Sequence, residues 1–195
     1  MAWNDLSFMQ FESSIGGGRL EPIEMIGTHL RVSALIDVGR FRRLSDLVNH
    51  TRGYLRLKDA RLLARNGEPT RMTMPELLLN QDEITFIGQR DPVDLPDAPD
   101  DRTRLIERPS LETQPRRLIL FTSGHTITGT VHLYNQQTLA GFCDTPDPRF
   151  VAMTNARARS LADRRVISHF ALLLVNRTQM IAAAESARLQ EPGRS

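Results

Sequence analysis

Tyr54-Leu-Arg-Leu-Lys-Asp-Ala-Arg61 and Phe150-Val-Ala-Met-Thr-Asn-Ala-Arg157 read alike when laid over each other, and the likeness continues beyond their ends. In the same ungapped register, Leu77-Leu-Leu-Asn-Gln-Asp-Glu-Ile84 falls on Leu173-Leu-Val-Asn-Arg-Thr-Gln-Met180. Ala60 then meets Ala156, Arg61 meets Arg157 and Asn80 meets Asn176. One residue of slippage upstream sets Val32-Ser-Ala-Leu-Ile36 against Ile127-Thr-Gly-Thr-Val131, and Leu44, Leu47 and Val48 against Leu139, Phe142 and Cys143. Identities are few, but apolar positions agree through four successive segments. Self-similarity at a fixed spacing is the mark of a repeated structural unit. It predicts two copies of one module, at residues 22–89 and 116–185.

The second copy shows what that unit is built from. From Thr126 to Leu133 the residues alternate, with Ile127, Gly129, Val131 and Leu133 on one face and Thr126, Thr128, Thr130 and His132 on the other. A period of two is a half-buried strand. Leu118–Thr122 reads as its hairpin partner across a Ser123-Gly124 turn. Gly129 within the strand predicts a bend or bulge, and Ala34, the next smallest residue, holds that place in the first copy. A short helix follows. Phe41, Leu44, Leu47 and Val48 line one helical face in the first copy, and Leu139, Phe142 and Cys143 repeat it in the second. Asn135 is the expected N-cap, Pro146 and Pro148 are the stop, and Cys143 is expected in the core. Strands over Phe150–Arg157 and Phe170–Ala182 complete the unit, with allowance for a further bend. The expected fold is therefore mostly β: two tandem small β-barrel modules, each with one short helix. About 65 residues of this kind are marginal alone, which predicts packing between the copies or oligomerisation.

Gly124-x-x-x-x-Gly129-x-Val131, Phe150-Val-Ala-Met-Thr-Asn-Ala156 and Leu174-Val-Asn-Arg-Thr-Gln-Met-Ile181 resemble, in their order, the signals of Sm-like small β-barrels. Arg43-Leu-Ser-Asp-Leu-Val-Asn49 followed by Tyr54-Leu-Arg-Leu-Lys-Asp-Ala60 also resembles a turn-and-strand pattern of bacterial small β-barrel domains of unknown function. The resemblance implies the barrel fold. The chain departs from the Sm-like pattern in placing its helix between the second and third strands. The Asp and Asn of that family's RNA pocket have no counterpart here.

Outside the two copies lie three stretches. Residues 1–20 carry Trp3, Leu6, Phe8, Met9 and Phe11 before Gly16-Gly17-Gly18. They are expected to pack as an extra element or to dock on a partner through Trp3, Phe8 and Phe11 from a glycine hinge. Residues 90–115, rich in Asp and Pro, read as a semi-extended acidic linker. Residues 186–195 read as a fraying tail.

Of the 25 basic residues, Lys58 is the single lysine, and the net charge is only +2. The sequence pI of about 9.2 follows from how few groups titrate above neutrality, not from a strong positive field. One cysteine, Cys143, excludes an internal disulfide framework and agrees with a reducing cytoplasm. No apolar run reaches the roughly 18 residues of a membrane helix, and the start lacks a basic signal-peptide region, so no membrane partner is expected.

No catalytic constellation emerges. His29, His50, His125, His132 and His169 form no metal-ligand spacing, and His125 and His132 fall on opposite faces of one strand. The glycine run lacks the strand and Lys-Ser/Thr of a phosphate loop, and no Gly-x-Ser-x-Gly elbow occurs. No cofactor, metal ligand or catalytic residue is assigned. The leading expectation is a non-catalytic protein-interaction or assembly module that pairs with a protein partner or with itself through strand edges. The alternative is an RNA-binding protein, with Arg40, Arg42, Arg43 and Arg52 contacting phosphates; an enzyme stands third.

Overall fold

The computed structural model describes residues 18–64, 69–89, 113–162 and 166–186. In chain order the strands are β1 (Leu20–Gly27), β2 (Arg31–Asp37), β3 (Tyr54–Leu63), β4 (Pro69–Asn80), β5 (Ile84–Gln89), β6 (Thr113–Thr122), β7 (His125–Tyr134), β8 (Phe150–Ser160), β9 (Val166–Asn176) and β10 (Met180–Glu185). Two short helices intervene, α1 (Leu44–His50) between β2 and β3 and α2 (Leu139–Asp144) between β7 and β8. Single 3-10 turns, Gln81–Glu83 and Arg177–Gln179, separate β4 from β5 and β9 from β10.

All ten strands belong to one open antiparallel sheet, ordered β10-β6-β7-β8-β9-β5-β1-β2-β3-β4. The expected closed barrels are therefore corrected. To close, β4 would have to pair with β5 and β9 with β10. Instead β5 pairs with β9, Phe86 opposite Val175 and Ile87 opposite Leu174, and β4 and β10 end the sheet. The sequence of β5 explains the choice. Ile84, Thr85, Phe86, Ile87 and Gly88 are all buried, and a strand without alternation belongs inside a sheet covered on both faces.

Adjacent residues of one strand point to opposite faces, and the register fixes which are shared. Met25, Ile87 and Leu174 lie side by side and join a core with Ile23, Ile36, Leu44, Val48, Leu57 and Phe150. One residue along, Ile26, Phe86 and Val175 join the other core with Leu118, Leu120, Ile127, Phe142, Met153 and Phe170. The two cores thus sit on opposite faces of the central strands. Gly88 makes room for the second core on its side of the sheet: a Cβ there would stand 2.2 Å from the Phe170 ring.

The curl over each core comes from a bulge that occurs at matching places. The β2–β3 register shifts between Ser33 and Leu35, and the β7–β8 register shifts between Thr128 and Thr130. The residues facing these shifts, Asp59 and Asn155, have φ of 49° and 48°. Asp and Asn are the side chains that tolerate this left-handed region best, and such bulges increase local twist.

Several finer expectations are corrected. Phe170–Ala182 is two strands, because the Asn176 side chain caps the turn Arg177–Gln179 by accepting from the Thr178 amide. The N-cap of α2 is Thr138, whose hydroxyl accepts from the Gly141 amide at 3.0 Å; Asn135 belongs to the preceding turn, where Gln136 takes φ of 72°. Cys143 is exposed, because a six-residue helix turns only Leu139 and Phe142 inward. β6 already begins at Thr113 within the stretch read as linker; Pro115 fits there because β10 pairs with β6 only from Leu118 onward. Residues 90–112, residues 1–17 with Trp3, Phe8 and Phe11, and residues 187–195 lie outside the described residues.

Candidate assembly interface

The β5–β9 junction is where residues far apart in sequence make the densest polar contacts. Asn49, at the end of α1, meets the first residue of β8 as a strand would. Its Nδ2 donates to the Phe150 carbonyl (3.0 Å), and its Oδ1 accepts from the Phe150 amide (2.7 Å). Asn176 is fully buried and satisfied: Nδ2 donates to the carbonyls of Gln81 and Ile84 (3.1 and 2.8 Å), and Oδ1 accepts from the Thr178 amide and hydroxyl. Buried Gln81 donates to the Val48 carbonyl (2.9 Å), Gln179 donates to the Asp82 carbonyl (2.8 Å), and Arg149 pairs with the Asp82 carboxylate. Beside this junction Arg177 covers the Phe142 ring at 4.5 Å and donates to the Phe142 and Pro148 carbonyls. Desolvation there pushes its guanidinium below the ordinary arginine range, opposed by the nearby Cys143 thiol.

The outer strands differ. Among the described residues β4 pairs only with β3 and β10 only with β6, so each presents one row of backbone groups that no described strand takes. Large apolar side chains crowd these edges: Met72 and Leu78 on β4 are 57% and 58% exposed, and Ile181 on β10 is 71% exposed. Leu174, which stands on β9 where Leu78 stands on β4, is fully buried under β5. Pro75 and Glu76 punctuate β4, and Arg56 holds Glu76 in an ion pair (2.7 Å) that raises the guanidinium above its usual range.

The arginines expected to contact phosphates lie around α1. Arg40, Arg42, Arg43 and Arg52 are all exposed. Arg40 covers the Phe41 ring at 5.6 Å, Arg43 is the N-cap of α1 without a side-chain cap bond, and Arg52 reaches the Asn49 carbonyl at 3.4 Å. His50 packs on Phe41 and His125 on Phe86, with ring centroids 5.2 and 5.3 Å apart. Among the described residues no three His, Cys, Asp or Glu side chains are grouped to hold a metal ion, and no helix is long and apolar enough to cross a membrane.

The sequence signalled the edges only indirectly. Leu77-Leu-Leu79 and Leu172-Leu-Leu-Val175 are equally apolar runs, yet one borders solvent and the other the sheet centre, a difference fixed by which strand takes β5. No family model, curated protein or solved structure matches this chain.

Proposed function

We propose that this protein is a non-catalytic assembly module: a tandem repeat of a five-stranded unit, β1–β5 and β6–β10, whose free β4 and β10 edges pair chain to chain. The carrying observation is the β5–β9 junction. On this reading β9 stands where β4 stands, and β10 where β5 stands. The bond between the halves is then a template for the bond between chains. Supporting it are the matched bulges at Asp59 and Asn155, and a second matched pair, where β1–β5 shifts register between Ile26 and Gly27 and β10–β6 between Met180 and Ala182. Transposing the internal register places Ala182, Ala183 and Ala184 of one chain opposite Leu79, Leu78 and Leu77 of the next.

The bond is head to tail, so it generates a ring where the rotation closes and a filament where it does not. It is weaker than its template. Asn49, Arg149 and Asp82 have Asp144, Gly53 and Thr178 in the corresponding places, so the polar clamp is lost and backbone pairing with apolar cover remains. Sedimentation of the full chain over a range of micromolar concentrations tests this: mass should rise through discrete multiples, and a strict monomer throughout overturns it.

A further inference from the structure

Among the described residues, the face of β6, β7 and β8 turned away from the second core carries three arginines and no acidic side chain. Past the Asn155 bulge the alternation of β8 changes phase: Val151 and Met153 are buried before it, Ala156 and Ala158 after it. Arg157 and Arg159 are thereby sent to the outer face. Arg157 stands opposite Thr128 and Arg159 opposite Thr126, while on the other side of β7 Arg117 stands opposite Thr130. Arg117, Thr126, Thr128, Arg157 and Arg159 line one shallow hollow of about 330 Å³.

None of these three arginines forms an ion pair among the described residues. Glu185, at the end of β10, is taken by Arg116 (2.7 Å). The corresponding face of the first five strands is arranged otherwise. There Arg31 is neutralised by Glu24, 2.5 Å away and 2% exposed. On β6 the residue in the place of Glu24 is Ile119, opposite Thr128. Arg61, in the place of Arg157, is likewise exposed, but Arg31 and Lys58 are paired with Glu24 and Asp37, so among the described residues the cluster of three unpaired arginines belongs to the second five strands.

We infer that this face binds the phosphodiester backbone of a single-stranded nucleic acid. Arginine cannot lose its charge at physiological pH and its planar fork matches phosphate oxygens, and the threonine hydroxyls between the arginines add further donors. The cations are spread out. Arg117 and Arg157 stand two strands apart and two residues out of level, about 12 Å, and Arg157 and Arg159 are about 7 Å apart along β8. A chain of phosphates can engage all three at once along the strands, and an open sheet face admits a polymer. Half-buried Phe121, opposite Thr126 on the same face, offers a ring to an unpaired base.

The test is fluorescence anisotropy of the full chain with a labelled oligouridylate across a salt series. Three neutralised phosphates predict a slope of log K against log salt of about −2. The variant R117Q/R157Q/R159Q should bind at least about tenfold more weakly with a flattened slope, and R40Q/R42Q/R43Q should bind as the parent does. Circular dichroism melting checks that each variant is folded, and the single reversal R159E carries the same expectation with least disturbance. Absence of binding at low salt overturns the inference. So does binding that survives both the triple substitution and R159E, or that inorganic phosphate displaces at the same concentration as unlabelled oligouridylate. Because these arginines lie off the β4 and β10 edges, sedimentation of the same variants separates failure here from failure of the assembly reading.

Discussion

At Asn155 the backbone φ is 48°, a region that costs a β-branched residue about 1–2 kcal/mol and glycine nothing. Asn155→Val should therefore lower stability by about that amount while Asn155→Gly stays near the parent, measured by urea unfolding. Asn49 is a different case. Its side chain makes two good hydrogen bonds to the backbone amide and carbonyl of one residue, so Asn49→Ala leaves a donor and an acceptor at Phe150 without their partner. That should cost about 1–3 kcal/mol by the same measurement. Gly88→Ala, which drives a methyl into the Phe170 ring, should cost about 1–3 kcal/mol. How much of this could be read in advance varies by residue. The alignment of Asp59 with Asn155 and of Asn80 with Asn176 is visible in the sequence, and both pairs do the same local job. Asn49 is not visible, because its partner lies a hundred residues away and nothing local marks it. Cys143 misleads: an apolar stripe in a helix of two turns does not bury every member.

Among the elements, β7 and α1 are the most legible. Strict alternation places the buried face of β7 at Ile127, Gly129, Val131 and Leu133, and the spacing of Leu44 and Val48 places the buried face of α1. The break between β9 and β10 is only half legible: Asn176-Arg-Thr-Gln179 interrupts the apolar run, but the turn depends on one asparagine accepting, through its side chain, from the amide two residues on. The partner of β5 is hidden. Its unbroken apolar run asks for a central place covered on both faces, but no residue of β5 says which strand will lie beside it. At this scale the assembly proposal makes a sharp demand of two strands. Leu78→Lys and Ala182→Lys each put a charge on an exposed edge position outside both cores, so both should fold with a melting temperature within a few degrees of the parent. Each should also sediment as a monomer where the parent associates; persistence of the multiples in both variants would remove β4 and β10 from the contact.

For the whole molecule, the decisive feature is that neither core is made by one half of the chain. Phe150 and Leu174 complete the core of the first five strands, and Ile26 and Phe86 enter that of the second. The chain should therefore unfold in one transition despite its two hydrophobic clusters. Phe86→Ala should shift that single transition, costing about 3–5 kcal/mol; calorimetry showing two separable transitions would contradict the coupling. The low net charge that argues against a general polyanion field is compatible with a local positive face, since Arg117, Arg157 and Arg159 line one hollow without an ion-pair partner among the described residues. The proposal that the internal junction prefigures the one between chains is best tested by cross-linking. In a Cys143→Ser background, Leu78→Cys in one chain and Ala183→Cys in another place the two sulfur-bearing carbons about 5 Å apart across the predicted register. Mild oxidation of the mixed single variants should give a covalent dimer that forms neither from L78C alone nor from A183C alone, and the double variant should give a ladder or a closed ring. Dimers confined to like pairs, or no cross-link at concentrations where the parent associates, would show that the sheet does not continue from chain to chain.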